Sequence, residues 1–316
     1  MMLSRIGVCQ WFHFDAHDDL ERSIELLDDL GVRHLRTGIS WADFHRPGGR
    51  RWYDHQMARL RDAGLEVLLS VWHTPPSISE GGHCASPPRD LKAFADFIDQ
   101  VIDLYGDGFG ALELWNEPNN RYKWDFEVYD PDWRKFATMI CNAGWWARAR
   151  GRTTVLGGAA PADPAWLELM DGYGVLDCVD VVAIHAFPGM WWPGGRNWEW
   201  FSHWRGWEQR IDSIQAVIGE RALWVTETGL ATCDRVAAAP EKHGLQERKL
   251  VEASGAPAER VYWYSLIDLH PERAALEGFH VDENEYHMGL TTSDGRRKPA
   301  YHRLKRILAE PLRRTG

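Results

Sequence analysis

Two stretches place a glutamate where a strand-like apolar run stops: Leu114-Trp115-Asn116-Glu117-Pro118-Asn119 and Leu223-Trp224-Val225-Thr226-Glu227-Thr228-Gly229. Glutamate is a poor strand residue and costly to bury, so a glutamate ending a buried run is a candidate for proton transfer or nucleophilic attack. The competing reading is a salt-bridged surface residue at a strand end. Two carboxyl groups held about 5–5.5 Å apart suit double displacement at a sugar carbon, one attacking while the other moves the proton. Pro118 is expected to push Glu117 toward extended geometry and so help fix it, and the neighbouring Asn116 can donate to a substrate hydroxyl. Two histidines occupy comparable places, His73 after Val71-Trp72 and His185 after Ala183-Ile184. Either can hydrogen-bond a hydroxyl, against the plainer reading of a packed core histidine.

Those residues need a frame. Eight apolar, β-rich runs lie at 5–12, 32–41, 65–72, 111–118, 153–160, 179–187, 222–228 and 260–267. Segments of helical periodicity separate them, at 18–30, 53–63, 91–105, 131–150, 164–173, 204–218 and 244–253, with a last one at 299–308. Repeated strand-then-helix units imply parallel pairing with right-handed crossovers, and near-continuous runs such as 179–184 suit strands covered on both faces. Eight units without a composition break predict an α/β fold, a closed (β/α)8 TIM barrel forming a single domain over residues 1–316. Gly31, Gly64, Gly106 and Gly151 each fall just past a predicted helix and are expected to cap it. In such a barrel the reacting groups sit at the carboxyl ends of strands, where both glutamates lie.

Composition removes several function classes. The 36 Lys+Arg and 46 Asp+Glu give a formal charge of −10 spread along the 316 residues, which argues against a phosphate-tracking surface and so against nucleic acid as partner. No apolar run approaches the 18 or so residues that span a bilayer. The start of the chain lacks a secretory signal pattern, and the five widely spaced cysteines (Cys9, Cys84, Cys141, Cys178, Cys233) fit buried free thiols in a reducing compartment, so a cytoplasmic location is expected. Gly106-Asp107-Gly108-Phe109-Gly110 precedes a strand and lacks dinucleotide-site spacing, and no G-x-S-x-G elbow occurs. Possible ligands at His83-Cys84 and over 280–287 lack zinc spacing, so neither a metal nor another cofactor is expected.

The stretch Val32-Arg33-His34-Leu35-Arg36 leading to Trp41, the Asn116-Glu117-Pro118 segment and the Trp224-to-Gly229 segment together resemble the β2, β4 and β7 motifs of clan A retaining glycoside hydrolases. The chain is most similar to β-xylosidase-like and cellulase-like members, families 39 and 5, over nearly its whole length, to Gly289-Leu290-Thr291 and Lys298-Pro299-Ala300-Tyr301. The resemblance implies a retaining β-glycosidase with Glu117 as acid/base and Glu227 as nucleophile, and with Arg36, Asn116, His185 and Trp263 around the sugar. It also implies a cis peptide after Trp263. Physically, Arg36 beside Glu227 would keep that carboxylate ionised, while a partly desolvated Glu117 would hold its proton.

One departure from the pattern concerns residue 187: members usually carry tyrosine two residues after the strand-six histidine, and here it is Phe187, with Tyr264 a candidate to compensate. Six of the 18 tryptophans (Trp191, Trp192, Trp198, Trp200, Trp204, Trp207) crowd into 188–207. Indoles stack on the apolar faces of sugars, so Trp191 and Trp192 are candidate subsite residues, the alternative being a local hydrophobic cluster. The expected partner is a small oligosaccharide or glycoside. The alternatives are a transglycosylase using the same intermediate and a non-catalytic carbohydrate-binding barrel.

Overall fold

The computed structural model describes residues 5–188, 190, 204–233, 241–273 and 283–309. Eight strands, β1 (Ile6–Cys9), β2 (His34–Ser40), β3 (Glu66–Trp72), β4 (Ala111–Leu114), β5 (Thr153–Leu156), β6 (Val181–His185), β7 (Ala222–Thr228) and β8 (Arg260–Tyr264), pair in parallel in sequence order. The sheet closes where Cys9 of β1 meets both Arg36 of β2 and Tyr264 of β8. Helices His17–Leu30, Gly49–Asp62, Lys92–Tyr105, Arg134–Ala149, Pro164–Gly172, Trp207–Ile218, Glu241–Ser254 and Pro299–Ala309 follow β1 to β8 in turn. The predicted α/β barrel is therefore the one observed.

The packing explains the sequence pattern. Every residue of β2 is buried, because helices cover the outside of the barrel while side chains fill its inside. Helix Lys92–Tyr105 buries Phe94, Phe97, Ile98, Val101 and Ile102, one apolar stripe at helical spacing. Burying such a side chain is worth about 1.5–3 kcal/mol, so the stripe docks the helix firmly on the sheet.

Two local expectations are corrected. Gly31, Gly64 and Gly151 adopt the left-handed conformation of helix-capping glycines, with φ of 75°, 66° and 71°, but Gly106 stays right-handed at φ −60°. Its requirement is space. A Cβ there would stand 2.6 Å from the backbone carbonyl of Ile102 and 2.5 Å from Nη2 of Arg152, whose Nη1 donates to the Gly106 carbonyl at 2.6 Å. The cysteines are not all free thiols: Cys141 and Cys178, 37 residues apart, form a disulfide with a Cα–Cα distance of 5.1 Å. Helix Arg134–Ala149 packs its Gly144 directly on the Cys178 carbonyl, which brings the two sulfurs together across a gap that sequence spacing does not reveal. Cys9, Cys84 and Cys233 stay outside any disulfide, so the thiol argument for a reducing compartment loses two of its five residues. Among the described residues no helix is long and apolar enough to cross a membrane.

Candidate active site

Arg36 is the hub of the barrel's carboxyl end. Projecting from the middle of β2 and fully buried, it donates through Nε to Glu113 Oε2 at 2.7 Å, through Nη2 to Asn116 Oδ1 at 2.6 Å, and through Nη1 to Glu227 Oε1. Its Nη1 also lies 3.4 Å from Cys9 Sγ, and its guanidinium carbon stands 4.9 Å from the Trp11 ring centre. Burial opposes the charge on Arg36, and Glu113 and then Glu227 outweigh it, so the guanidinium titrates well above an ordinary arginine. The cation is permanent.

Glu117 hangs from a tight loop rather than from a strand. β4 ends at Leu114, and the chain turns with Trp115 at φ 80° and Glu117 at φ 47°, both left-handed. The extended geometry expected before Pro118 is thus not adopted. The loop closes on itself instead: the Asn120 amide donates to the Glu117 carbonyl at 3.0 Å, and the Trp115 indole donates to the Lys123 carbonyl at 3.1 Å. Left-handed backbone at a non-glycine residue costs on the order of 1–3 kcal/mol and persists only where surrounding contacts over-determine it. Here it aims a carboxyl that is 8% exposed. Burial pushes Glu117 above the usual carboxylate range, opposed by the Lys123 ammonium, by the hydrogen bond that Asn120 Nδ2 donates to Oε2 at 2.9 Å, and by Arg36.

His185 joins the two carboxyls. Its Nδ1 lies 3.0 Å from Glu117 Oε1 and 3.5 Å from Glu227 Oε2. A bulge makes this possible: Ile184 of β6 pairs with Val225 of β7, but the next residue, His185, pairs with Glu227, so that Thr226 is skipped. The same extra residue shows against β8, where Val225 faces Val261 and Thr228 faces Trp263. Gly158, just after β5, leaves the room the imidazole occupies, since a Cβ there would stand 2.2 Å from the ring. One ligand atom each from Glu117, His185 and Glu227 lies within 4.8 Å of the other two.

The amino-acid sequence of the chain matches no family model. Human Klotho is 28% identical over 120 residues, which is 34% of this chain and 11% of Klotho. Among solved structures, a family 39 glycoside hydrolase from Bacteroides cellulosilyticus superposes with a TM-score of 0.65 at 17% identity, covering 99% of this chain and 64% of that one. A family 1 β-glucosidase from Thermotoga maritima superposes at 0.67 and 12% identity, covering 93% and 87%. This is a fold that glycoside hydrolases use. At such identities the likeness is one of fold.

Strand register places two of the other candidates: Trp263 pairs with Thr228, beside Glu227, and Tyr264 with Cys9. Trp263 is buried in β8 with its indole N–H unpartnered, as are those of Trp11 and Trp72. The non-proline cis peptide joins Tyr264 to Ser265, one residue later than expected. Tyr264 meets Phe187 edge-on at 6.1 Å and lines, with Trp11, His13, Asp268 and Arg273, a cavity of about 390 Å³. His73 sits with φ 69° against the Trp72 ring; burial, with Lys123 adding to it, pushes its imidazole down to about 3, so it is neutral at working pH. Trp191 and Trp192 fall outside the described residues. Glu113, Asn120 and Lys123 belong to this centre and were missed by inspecting only residues that end apolar runs. Glu113 lies inside β4, and its one signal was a charge in the middle of a strand.

Proposed function

We propose that this chain is a retaining β-glycosidase, with Glu227 the nucleophile and Glu117 the acid/base. The carrying observation is the span of at most 4.8 Å between an oxygen of each carboxyl group. Retaining glycosidases hold the two groups about 5–5.5 Å apart, whereas an inverting pair needs about 6.5–9.5 Å to admit a water between them.

In the first step a Glu227 oxygen attacks the anomeric carbon, the bond to the leaving oxygen breaks, and Glu117 gives that oxygen its proton. Burial of Glu117 supports this role, since its raised pKa keeps the proton available. In the second step water attacks the same carbon and passes a proton to Glu117, and the ester electron pair returns to Glu227. An alcohol in place of water would make the reaction a transglycosylation through the same intermediate. Asn116 and His185 are the groups proposed to meet the hydroxyls of the reacting sugar, with Trp263 beneath it and His73, Tyr264, Trp191 and Trp192 bordering it. The expected substrate is a small glycoside.

The test is azide rescue on aryl glycosides. Glu227→Ala and Glu117→Ala should each lose most turnover; azide should then yield a glycosyl azide of inverted configuration from the first and of retained configuration from the second. Wild-type turnover in either variant would remove the assignment. Phe187, which offers no hydroxyl where related enzymes carry tyrosine, favours a second reading, a barrel that binds carbohydrate without cleaving it. A 2-deoxy-2-fluoro glycoside separates the two, because only a competent enzyme acquires its mass on Glu227.

A further inference from the structure

Glu113 has no place in the two-step chemistry, yet it is the most completely enclosed acid of the centre. It is fully buried in β4, accepts from Arg36 Nε at 2.7 Å with Nη2 2.6 Å from the same oxygen, and leaves Oε1 with no hydrogen-bond partner. A buried guanidinium serving one nucleophile needs one counter-charge, and this one has two. The second charge finds a use if one of the two disappears during turnover. On the proposed mechanism, one does: esterification of Glu227 neutralises it.

We propose that Glu113 is the standing counterion of Arg36, a positioning residue that keeps the guanidinium paired and in place while Glu227 is bonded to sugar. In the resting protein the two carboxylates share Arg36, so Glu227 is less stabilised as an anion than a private salt bridge would make it, and is correspondingly the better nucleophile. In the glycosyl-enzyme Arg36 rests on Glu113 and Asn116 alone, so no unpaired cation is left buried and the Nη1 donor stays aimed at the oxygen to which the electron pair must return. Charge is conserved through the cycle. The negative charge that leaves Glu227 reappears on Glu117 once its proton has gone to the leaving group.

This role rests on the glycosidase reading, and the measurement is chosen to separate them. In Glu113→Gln, Arg36 becomes private to Glu227. The acidic limb of the kcat/KM profile should move to lower pH by about one unit, a tenfold change in the ionisation constant. Labelling by a 2-deoxy-2-fluoro glycoside should slow by about tenfold as the nucleophile weakens, and release of the label should not slow. Glu113→Asp, which keeps the charge but draws it back by one methylene, should shift the limb the same way and by less; it is the variant to read should Glu113→Gln not fold. A merely structural Glu113 would lower thermal stability with the limb and the labelling rate unmoved, and that result overturns the proposal. The resting protein gives an answer without turnover. In carbon-13 NMR of carboxyl-labelled glutamate, the signal lost in Glu227→Gln should titrate at lower pH in Glu113→Gln than in wild type. An unmoved signal refutes the counterion role whatever the enzyme does, whereas a wild-type protein that cleaves and labels with no glycoside refutes the glycosidase reading alone.

Discussion

Gly158→Ala touches neither carboxyl group and should nevertheless disable the site. The added Cβ would stand 2.2 Å from both Cδ2 and Nε2 of His185 and 2.7 Å from Thr226 Oγ1, whereas ordinary contact begins at 3.4 Å. The imidazole therefore has to retreat by roughly 1 Å, and its 3.0 Å contact with Glu117 Oε1 cannot survive that displacement. A misplacement of ~1 Å in a reacting constellation costs on the order of 100-fold in rate. The same overpacking should destabilise the fold by about 1–3 kcal/mol, a melting temperature lower by roughly 5 °C. The assay is kcat/KM on an aryl glycoside beside a thermal melt, for Gly158→Ala, His185→Ala and the double variant. If the loss acts through His185, adding Gly158→Ala to His185→Ala should cost less than about threefold more. Near-wild-type kcat/KM in a folded Gly158→Ala, or an undiminished further loss in the double variant, would refute the reasoning.

Other perturbations have equally definite signs. Burial raises the pKa of Glu117 in the folded protein, so it takes up a proton more readily folded than unfolded; its contribution to stability is full below the unfolded value of about 4.5 and is lost as pH rises through the folded one. Glu117→Gln should therefore melt higher than wild type at neutral pH, by about 2 °C per kcal/mol of relieved desolvation, with the gap closing below about pH 4 in a calorimetric series. Asn120→Ala removes a hydrogen bond to the Glu117 carboxyl at 2.9 Å that favours its charged form, so the basic limb of the kcat/KM profile should move to higher pH. The Cys141–Cys178 disulfide closes a loop across 37 residues, which by chain entropy is worth about 4 kcal/mol. Cys178→Ser should lower the melting temperature accordingly while kcat/KM stays as it was, because Cys178 precedes β6 at the end of the barrel opposite His185.

The barrel was legible because each of its eight strands is an apolar run set between helices whose stripe spacing is unmistakable, and no long-range information is needed to read either. What could not be read depends on contacts that no run of apolar residues encodes, some within one loop and some between distant segments. The left-handed turn at Trp115 and Glu117 contradicts the local preference of a residue before proline, and it is held by Asn120 and by the Lys123 carbonyl. The bulge that skips Thr226 has no signature in β7 itself; only its registers with β6 and β8 show that the strand carries one residue too many. The disulfide likewise follows from how one helix sits on the turn before β6.

Glu113 is a different kind of omission, because the sequence did show a charge inside an apolar run there. Inspecting only the ends of apolar runs assumes that a strand interior is apolar, yet a parallel strand covered on both faces must pair any charge it carries. Setting aside the first and last residue of each strand, the eight strands contain three charged side chains: Arg36 in β2, Glu113 in β4 and Glu227 in β7. Arg36 is the one cation among those strand interiors, and it pairs with both acids. Once the strand bounds are fixed, that count singles out the ion-pair network and its asymmetry: if Glu227 is consumed in a covalent step, Glu113 is the charge that stays.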